Sequence, residues 1–362
     1  MEKQKVIITQ ELQQALAAKI AACQPDRLFV LTDENTRRLC WPQVEHYPCL
    51  QQANVITMPA GDENKTVLNL QFVWHELSRL GATRHSLMVN LGGGMLTDLG
   101  GFAASTFKRG IHFINIPTTL LAMVDASVGG KTGVNFEGLK NEVGVFSNAD
   151  CVILDTRFLQ TLDTENLLSG YAEMLKHSLI DNSDTWAQLL NFDILQPDLE
   201  VLGRMVADSV AVKERIVQQD PHEQGLRKAL NLGHTVGHAF ESLALSNPAR
   251  FSHQADSRAE APILHGYAVA YGLVCELYLS TIKTGFPVDR MRQTVRFVRE
   301  HYGQMLITCD DYPTLLQLMT HDKKNTGTTI NFTLLGNIGD IRINQTATRQ
   351  EIEEALDFYR EG

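Results

Sequence analysis

SLMVNLGGGMLTDLGGFAAS, residues 86–105, is the stretch that decides the fold class. Its apolar run from Ser86 to Leu91 has the length of a buried strand and stops at three consecutive glycines, Gly92, Gly93 and Gly94. A helix is expected to begin near Asp98. Strand, glycine turn and helix in that order bring backbone N–H groups at a helix start within reach of a pyrophosphate, because glycine has no Cβ to stand in the way. The run departs from the GxGxxG fingerprint, since Thr97 stands where the third glycine belongs. A purely structural strand-to-helix turn fits the same residues.

Further short apolar runs lie on either side. Leu28 to Leu31, Val55 to Met58, Phe113 to Ile116 and Val152 to Leu154 read as strands separated by helical stretches, the α/β pattern of a parallel sheet. Several end in turn-forming or polar residues, such as Thr32 to Asn35, Gly61 to Glu63 and Pro117 to Thr119. Ligands of open parallel sheets bind at the carboxyl ends of strands, so a nucleotide is expected there. Gly129-Gly130-Lys131-Thr132 imitates the end of a Walker A loop, but the required first glycine falls on Asp125, and that reading fails. The segment is instead expected to be a ligand-facing loop. From about Leu167 the periodicity turns helical, in Tyr171 to Ile180, Val201 to Gln218 and Val269 to Ile282. The expected organisation is a Rossmann-like parallel-sheet domain over 1–165 and a mostly α-helical metal-binding domain over 166–362, with a hairpin around Ile330 to Ile343.

The helical half carries a metal-binding pattern. His234 and His238 stand four residues apart on one helical face, in Asn231 to Glu241. Thr235 occupies the position of the HExxH glutamate, which argues against peptidase chemistry. A third histidine, His265, and an acid, Glu173, with Lys176 on the same helix face, complete a group from which three protein ligands and an open position could be drawn.

Composition sets bounds on function. The 362 residues are 44% hydrophobic and 20% charged, enough apolar material for two packed cores. A formal charge of −10 argues against a general nucleic-acid or anionic-membrane binder, which needs a basic surface. No run of about 18 apolar residues occurs, and the N-terminus MEKQKVIITQ lacks a basic segment followed by an apolar core. The six cysteines are scattered without CxxC spacing, as expected of reduced thiols in a cytoplasmic protein.

The segments GGGMLTDLGGFAASTFKRG (92–110), IPTTLLAMVDASVGGKTGVN (116–135), LKNEVG (139–144), AEMLK (172–176), GLRKALNLGHTVGHAFE (225–241), LHG (264–266) and DKKN (322–325) follow one another in an order that resembles the 3-dehydroquinate synthase family of sugar-phosphate cyclases. The resemblance implies conversion of 3-deoxy-D-arabino-heptulosonate 7-phosphate to 3-dehydroquinate and phosphate. It implies transient oxidation by bound NAD, phosphate elimination, re-reduction and an intramolecular aldol closure, assisted by zinc or cobalt. It assigns the metal to Glu173, His234 and His265, leaving His238 catalytic. It assigns NAD to Asp33, Asn35, Asp62, Lys65, Gly93, Gly94, Asp98, Thr118, Thr119 and Thr161, with Asp125, Lys131 and Lys140 also at that cofactor. The same three, with Asn141, Lys176, Lys213, Arg227, Asn231, His238 and Lys323, are implied at the substrate, and Arg109 would reach the phosphate of the neighbouring subunit in a homodimer. Two departures stand out: Tyr267 replaces the acid of the common His-Gly-Glu motif, and the stretch between His238 and His265 is longer, its extra residues around Ser246 to Pro262 reading as a surface loop. The alternatives are a cyclase for sedoheptulose 7-phosphate or glucose 6-phosphate, which needs no carboxylate grip, and a polyol dehydrogenase, which would release NADH.

Overall fold

Leu28 to Leu31 is a continuous apolar run and Leu87 to Leu91 is one interrupted only by Asn90, the pattern of strands covered on both faces. In the computed structural model, which describes residues 4–137, 139–251, 263–320 and 330–361, both are fully buried strands. The chain forms two compact units, one of Met1–Asp163 with Asp198–Glu214 and one of Thr164–Pro197 with Arg215–Gly362. The chain therefore leaves the first unit after Asp163 and returns to it for the segment Asp198–Glu214.

The first unit runs β1 (Val6–Ile8), α1 (Leu12–Cys23), β2 (Leu28–Asp33), α2 (Glu34–Leu39), β3 (Asn54–Met58), α3 (Val67–Arg79), β4 (Leu87–Gly92), α4 (Gly94–Thr106), β5 (His112–Pro117), β6 (Lys131–Phe136), β7 (Leu139–Phe146) and β8 (Cys151–Leu154). Six strands form a parallel sheet in the order β1-β8-β5-β4-β2-β3. From β2 the chain moves outward to β3, then crosses to β4 on the other side of β2 and continues away to β5. The order reverses between β2 and β4, so the crevice beyond Asp33 and Gly92 is the switch point where open α/β sheets bind ligands.

Two local expectations are corrected. The helix after the glycines begins at Gly94, four residues before Asp98, because Gly93 takes an extended conformation (φ −74°, ψ −172°) and itself becomes the N-cap. The Lys131 segment is a loop only through Gly130: from Lys131 it is strand β6, which pairs antiparallel with β7, and Gly133 lies so close to that partner that a Cβ would sit 2.6 Å from the Val143 carbonyl oxygen. Glycine there serves pairing.

The second unit contains α5 (Thr164–Asp181), α6 (Ser183–Asn191), the end of α7 (Leu199–Gln219), α8 (His234–Ser246), α9 (Pro248–Phe251), α10 (His265–Thr284), α11 (Val288–Tyr302), α12 (Tyr312–Thr320), the antiparallel hairpin β9 (Asn331–Asn337) and β10 (Asp340–Thr346), and α13 (Arg349–Glu361). Of the expected surface loop, Ser246 ends α8 and Pro248–Phe251 form one helical turn, while 252–262 lie outside the described residues. Helix α10 is buried almost all round, as a central helix must be, and packs against α5, α8, α11, α13 and β9. Two glycines permit the closest contacts. A Cβ on Gly266 would meet the Ser169 carbonyl oxygen at 1.9 Å, and one on Gly272 would meet the Gly233 carbonyl oxygen at 1.9 Å. The backbones of α5 and α8 thus touch that of α10 directly.

Candidate functional site

Those glycine contacts bring together the side chains singled out for a metal. Glu173 lies in α5, while His234 and His265 are the first residues of α8 and α10. The Nε2 atoms of His234 and His265 stand 3.4 and 3.3 Å from the same oxygen, Oε1 of Glu173, and one ligand atom from each residue falls within 4.8 Å of the others. His234 Nδ1 faces the Leu232 carbonyl oxygen at 3.1 Å; as a donor there, it leaves Nε2 with its lone pair aimed at the cluster. Neither carboxylate oxygen of Glu173 receives a hydrogen bond of good geometry among the described residues, although both are buried and Lys176 ion-pairs with Oε2. A buried carboxylate in that condition fits a cation.

The charge states agree with such a centre. Burial by itself would raise the Glu173 carboxyl, but the Lys176 ammonium and His234 hold it well below the usual range. Burial, reinforced by Lys176 against the pull of Glu173, lowers His234 to about 4, leaving it a neutral imidazole. Burial also pushes on His265, yet the Glu173 and Glu241 carboxylates outweigh it and raise the ring to about 10. A metal arriving at neutral pH must therefore displace a proton from His265.

His238, one turn along α8, stands with its ring 5.3 Å from that of His234 and 5.9 Å from that of His265. It could form a second triad with Glu241 and His265. Glu241, however, faces His265 at Nδ1 (3.6 Å), whereas the Nε2 atoms of both His234 and His265 converge on Glu173. Tyr267, where an acid was expected, is packed among tyrosines, 5.1 Å from the Tyr302 ring and 6.4 Å from that of Tyr271. The carboxylate on the Nδ1 side of His265 is that of Glu241.

Glu276, in α10, escaped the sequence reading. It is fully buried, and its two oxygens accept hydrogen bonds from the N–H groups of Gly233 (2.6 Å) and Val236 (3.1 Å), so it caps the first turn of α8 at His234. Its signal was available: it is the one charged residue in Ala268 to Leu279. In the same unit Arg227 is buried in the turn Leu226–Asn231, donating to the Pro221 carbonyl oxygen at 2.7 Å, and Asn231 donates to Glu223 at 2.9 Å.

The first unit gathers its own polar group. Lys65, buried, bridges Asp98 and Asn141 at 2.5 Å each. Burial pushes the Asp98 carboxyl up in spite of Lys65. Lys213 reaches the carboxylate (2.7 Å) and backbone carbonyl of Asp125, and Lys140 pairs with Asp62 at 2.9 Å. Helix α4, N-capped by Gly93, has no side-chain cap, leaving its first N–H groups for an anion. A Cβ on Gly93 would sit 3.0 Å from Thr119 Cγ2, and Thr118 donates its N–H to the Gly92 carbonyl oxygen. Other expected residues have partners or exposure of their own. The Asp33 carboxylate caps α2 through Thr36 N–H (2.8 Å), Asn35 is exposed, and Thr161 donates to the Phe158 carbonyl oxygen. Arg109 is exposed in a left-handed turn, and Lys131 is exposed on β6. Lys323 lies outside the described residues.

The chain matches family models described as the 3-dehydroquinate synthase N-terminal domain over residues 55–169 and C-terminal domain over 170–325. It is 54% identical over 362 residues to a 3-dehydroquinate synthase of Parabacteroides distasonis, covering all of this chain and 99% of that one. A 3-dehydroquinate synthase of Streptococcus pneumoniae is 34% identical over 341 residues, 92% of this chain and 90% of its own. Among solved structures, a 2-epi-5-epi-valiolone synthase from Streptomyces hygroscopicus, with NAD+ and Zn2+ bound, superposes with a TM-score of 0.85 at 25% identity, covering 100% of this chain and 98% of that one. A 2-deoxy-scyllo-inosose synthase complexed with carbaglucose-6-phosphate, NAD+ and Co2+ superposes at 0.82 and 21% identity, covering 99% and 96%, and shares the fold.

Proposed function

The chain belongs to the 3-dehydroquinate synthase family, and from that premise we propose that it converts 3-deoxy-D-arabino-heptulosonate 7-phosphate to 3-dehydroquinate and phosphate. What carries the reading is its similarity, end to end, to curated enzymes of that activity. The enzyme is a phosphate-eliminating lyase that uses NAD and a divalent metal without net redox. When bound, NAD+ supplies a temporary hydride acceptor and the metal a Lewis acid that acidifies a substrate hydroxyl.

The residues supply position and charge. Glu173, His234 and His265 hold the metal, supported by the convergence of both Nε2 atoms on one buried carboxylate oxygen. Glu241 steadies His265 from the Nδ1 side. His238, adjacent to both histidine ligands, is left to move a proton at the substrate. Arg227, held by the Pro221 carbonyl, offers a planar guanidinium suited to a carboxylate. In the first unit the uncapped start of α4 takes the pyrophosphate, and Lys65, fixed between Asp98 and Asn141, belongs to the nucleotide's surroundings. Asp33, Asn35, Asp62, Gly93, Gly94, Thr118, Thr119 and Thr161 complete the NAD assignment. Asp125, Lys131, Lys140, Asn141, Lys176, Lys213, Asn231 and Lys323 complete that of the substrate. The enzyme is further read as a cytoplasmic homodimer in which exposed Arg109 serves the second copy. No helix among the described residues is long and apolar enough to cross a membrane.

The test is purified protein with the heptulosonate phosphate, following phosphate release and 3-dehydroquinate together. The two should appear in equal amounts without accumulation of NADH. A stoichiometric rise in reduced-nicotinamide absorbance would identify a dehydrogenase instead, and equally efficient cyclisation of sedoheptulose 7-phosphate would mark a different cyclase.

A further inference from the structure

A second group of metal-ligating side chains lies in the first unit, at the opposite edge of the sheet from the switch point. Cys23 is the last residue of α1, His112 the first of β5, and Asp150 immediately precedes β8. Strands β5 and β8 are parallel neighbours, so His112 and Asp150 share the N-terminal strand edge, whereas Gly92 and Pro117 end their strands at the other. Helix α1 packs on β8, which brings Cys23 to the same place. One ligand atom from each of the three residues falls within 4.8 Å of the others.

The carboxylate is set by backbone rather than chance. Asp150 Oδ2 accepts the Phe113 N–H at 3.0 Å, and the Asp150 N–H donates to the Phe113 carbonyl oxygen at 2.9 Å. Its other oxygen, Oδ1, stands 2.8 Å from His112 Nδ1. The thiol is half-buried beside this pair, and burial together with the Asp150 charge raises it, so the metal-free protein carries Cys23 protonated. A surface histidine–aspartate pair needs no thiol at its side. A thiolate, an imidazole and a carboxylate with one position left for water form a donor set suited to zinc or cobalt and unsuited to calcium or magnesium, which take oxygen. Tetrahedral coordination at about 2.0–2.3 Å puts ligand atoms roughly 3.5 Å apart, within reach of side-chain rotation from the present spacing.

We propose that Cys23, His112 and Asp150 form a second divalent-metal site, for zinc or cobalt, that ties the end of α1 to β5 and β8. Binding releases the Cys23 thiol proton to solvent and forms a metal–sulfur bond, with no change of oxidation state.

The Glu173 centre contains no sulfur donor, so cobalt distinguishes the two sites. Titrating the full-length, metal-free protein with cobalt(II) should give an intense near-ultraviolet thiolate-to-cobalt charge-transfer band whose full amplitude corresponds to one of the two equivalents bound. Cys23→Ser should abolish the band and lower the bound metal by one equivalent, leaving the remaining cobalt and the enzymatic activity in place. His112→Ala, at a side chain 52% exposed and hence harmless to folding, should keep the thiol yet weaken the band-forming site roughly tenfold or more. Cobalt binding with no charge-transfer band would overturn the site, as would a band that persists in Cys23→Ser or titrates unchanged in His112→Ala.

Discussion

Replacing Glu276 should disturb both the stability of the second unit and its grip on metal. The carboxylate is fully buried and accepts the Gly233 and Val236 N–H groups, at the helix start where His234 stands. Glu276→Ala leaves two buried donors without this acceptor, at roughly 1–3 kcal/mol each. It also removes an anion from the α8 N-terminus, worth about 0.3–2 kcal/mol, and opens a cavity. Relief from burying a charge offsets part of this. A net loss of about 2–6 kcal/mol, at roughly 2–4 °C per kcal/mol for a unit of this size, lowers the unfolding midpoint by on the order of 5–20 °C. Glu276→Gln keeps one oxygen and turns an amide donor toward the other N–H, so it should lose about 1–3 kcal/mol. Differential scanning calorimetry of the metal-loaded and chelated protein, with metal content measured after dialysis, separates the effects. Thr294→Val, which removes the buried hydrogen bond from Trp186 Nε1 (3.0 Å) away from the histidines, is the control. It should lower the midpoint and retain metal. A wild-type midpoint in Glu276→Gln, or equal metal loss in Thr294→Val, would refute the positioning argument.

His265→Ala should lose metal on dialysis while His238→Ala keeps it and turns over slowly; equal metal loss in both would place His238 among the ligands. With the His265 ring raised to about 10 in the metal-free protein, its protonated form stabilises that state fully below the unfolded value near 6.5, and the stabilisation fades as pH rises toward 10. Metal competes with that proton, so affinity should climb about tenfold per pH unit between pH 6 and 8, with one proton released per metal in weakly buffered calorimetry. A flat profile would show His265 already neutral. Arg227→Leu should cut kcat/KM for the heptulosonate phosphate by roughly ten- to a hundredfold, the equivalent of about 1–3 kcal/mol, with NAD affinity and metal content nearly unchanged in equilibrium binding. An undiminished kcat/KM would remove the carboxylate role.

The α/β character of the first unit was legible because strands buried on both faces are largely apolar, as Leu28 to Leu31 is throughout and Leu87 to Leu91 is apart from Asn90, whose amide donates to Asn115 Oδ1. The hairpin around Gly339 and the helices at Tyr171, Val201 and Val269 were legible for the same kind of reason: local period and turn chemistry report on which faces are covered. The start of α4 was misplaced because Gly94 is a poor residue inside a helix, whereas the extended Gly93 makes an acceptable N-cap and starts the helix four residues before Asp98. The Lys131 segment misled in its second half, since Gly133 serves close pairing with β7, a contact no local pattern encodes.

By itself the sequence pointed to the donor types of the proposed metal group, since Glu173, His234 and His265 stand in segments whose order resembles the family. Which atoms converge was a tertiary decision. Gly266 and Gly272 let α10 touch α5 and α8, directing both Nε2 atoms at one oxygen of Glu173 and placing Glu241 rather than residue 267 beside His265. The return of Asp198–Glu214 to the first unit, the capping of α8 by Glu276, and the meeting of Cys23 with His112 and Asp150 all join residues far apart in the chain. Their pairing depends on backbone approach and burial across packed elements, which hydrophobic period and motif spacing do not record.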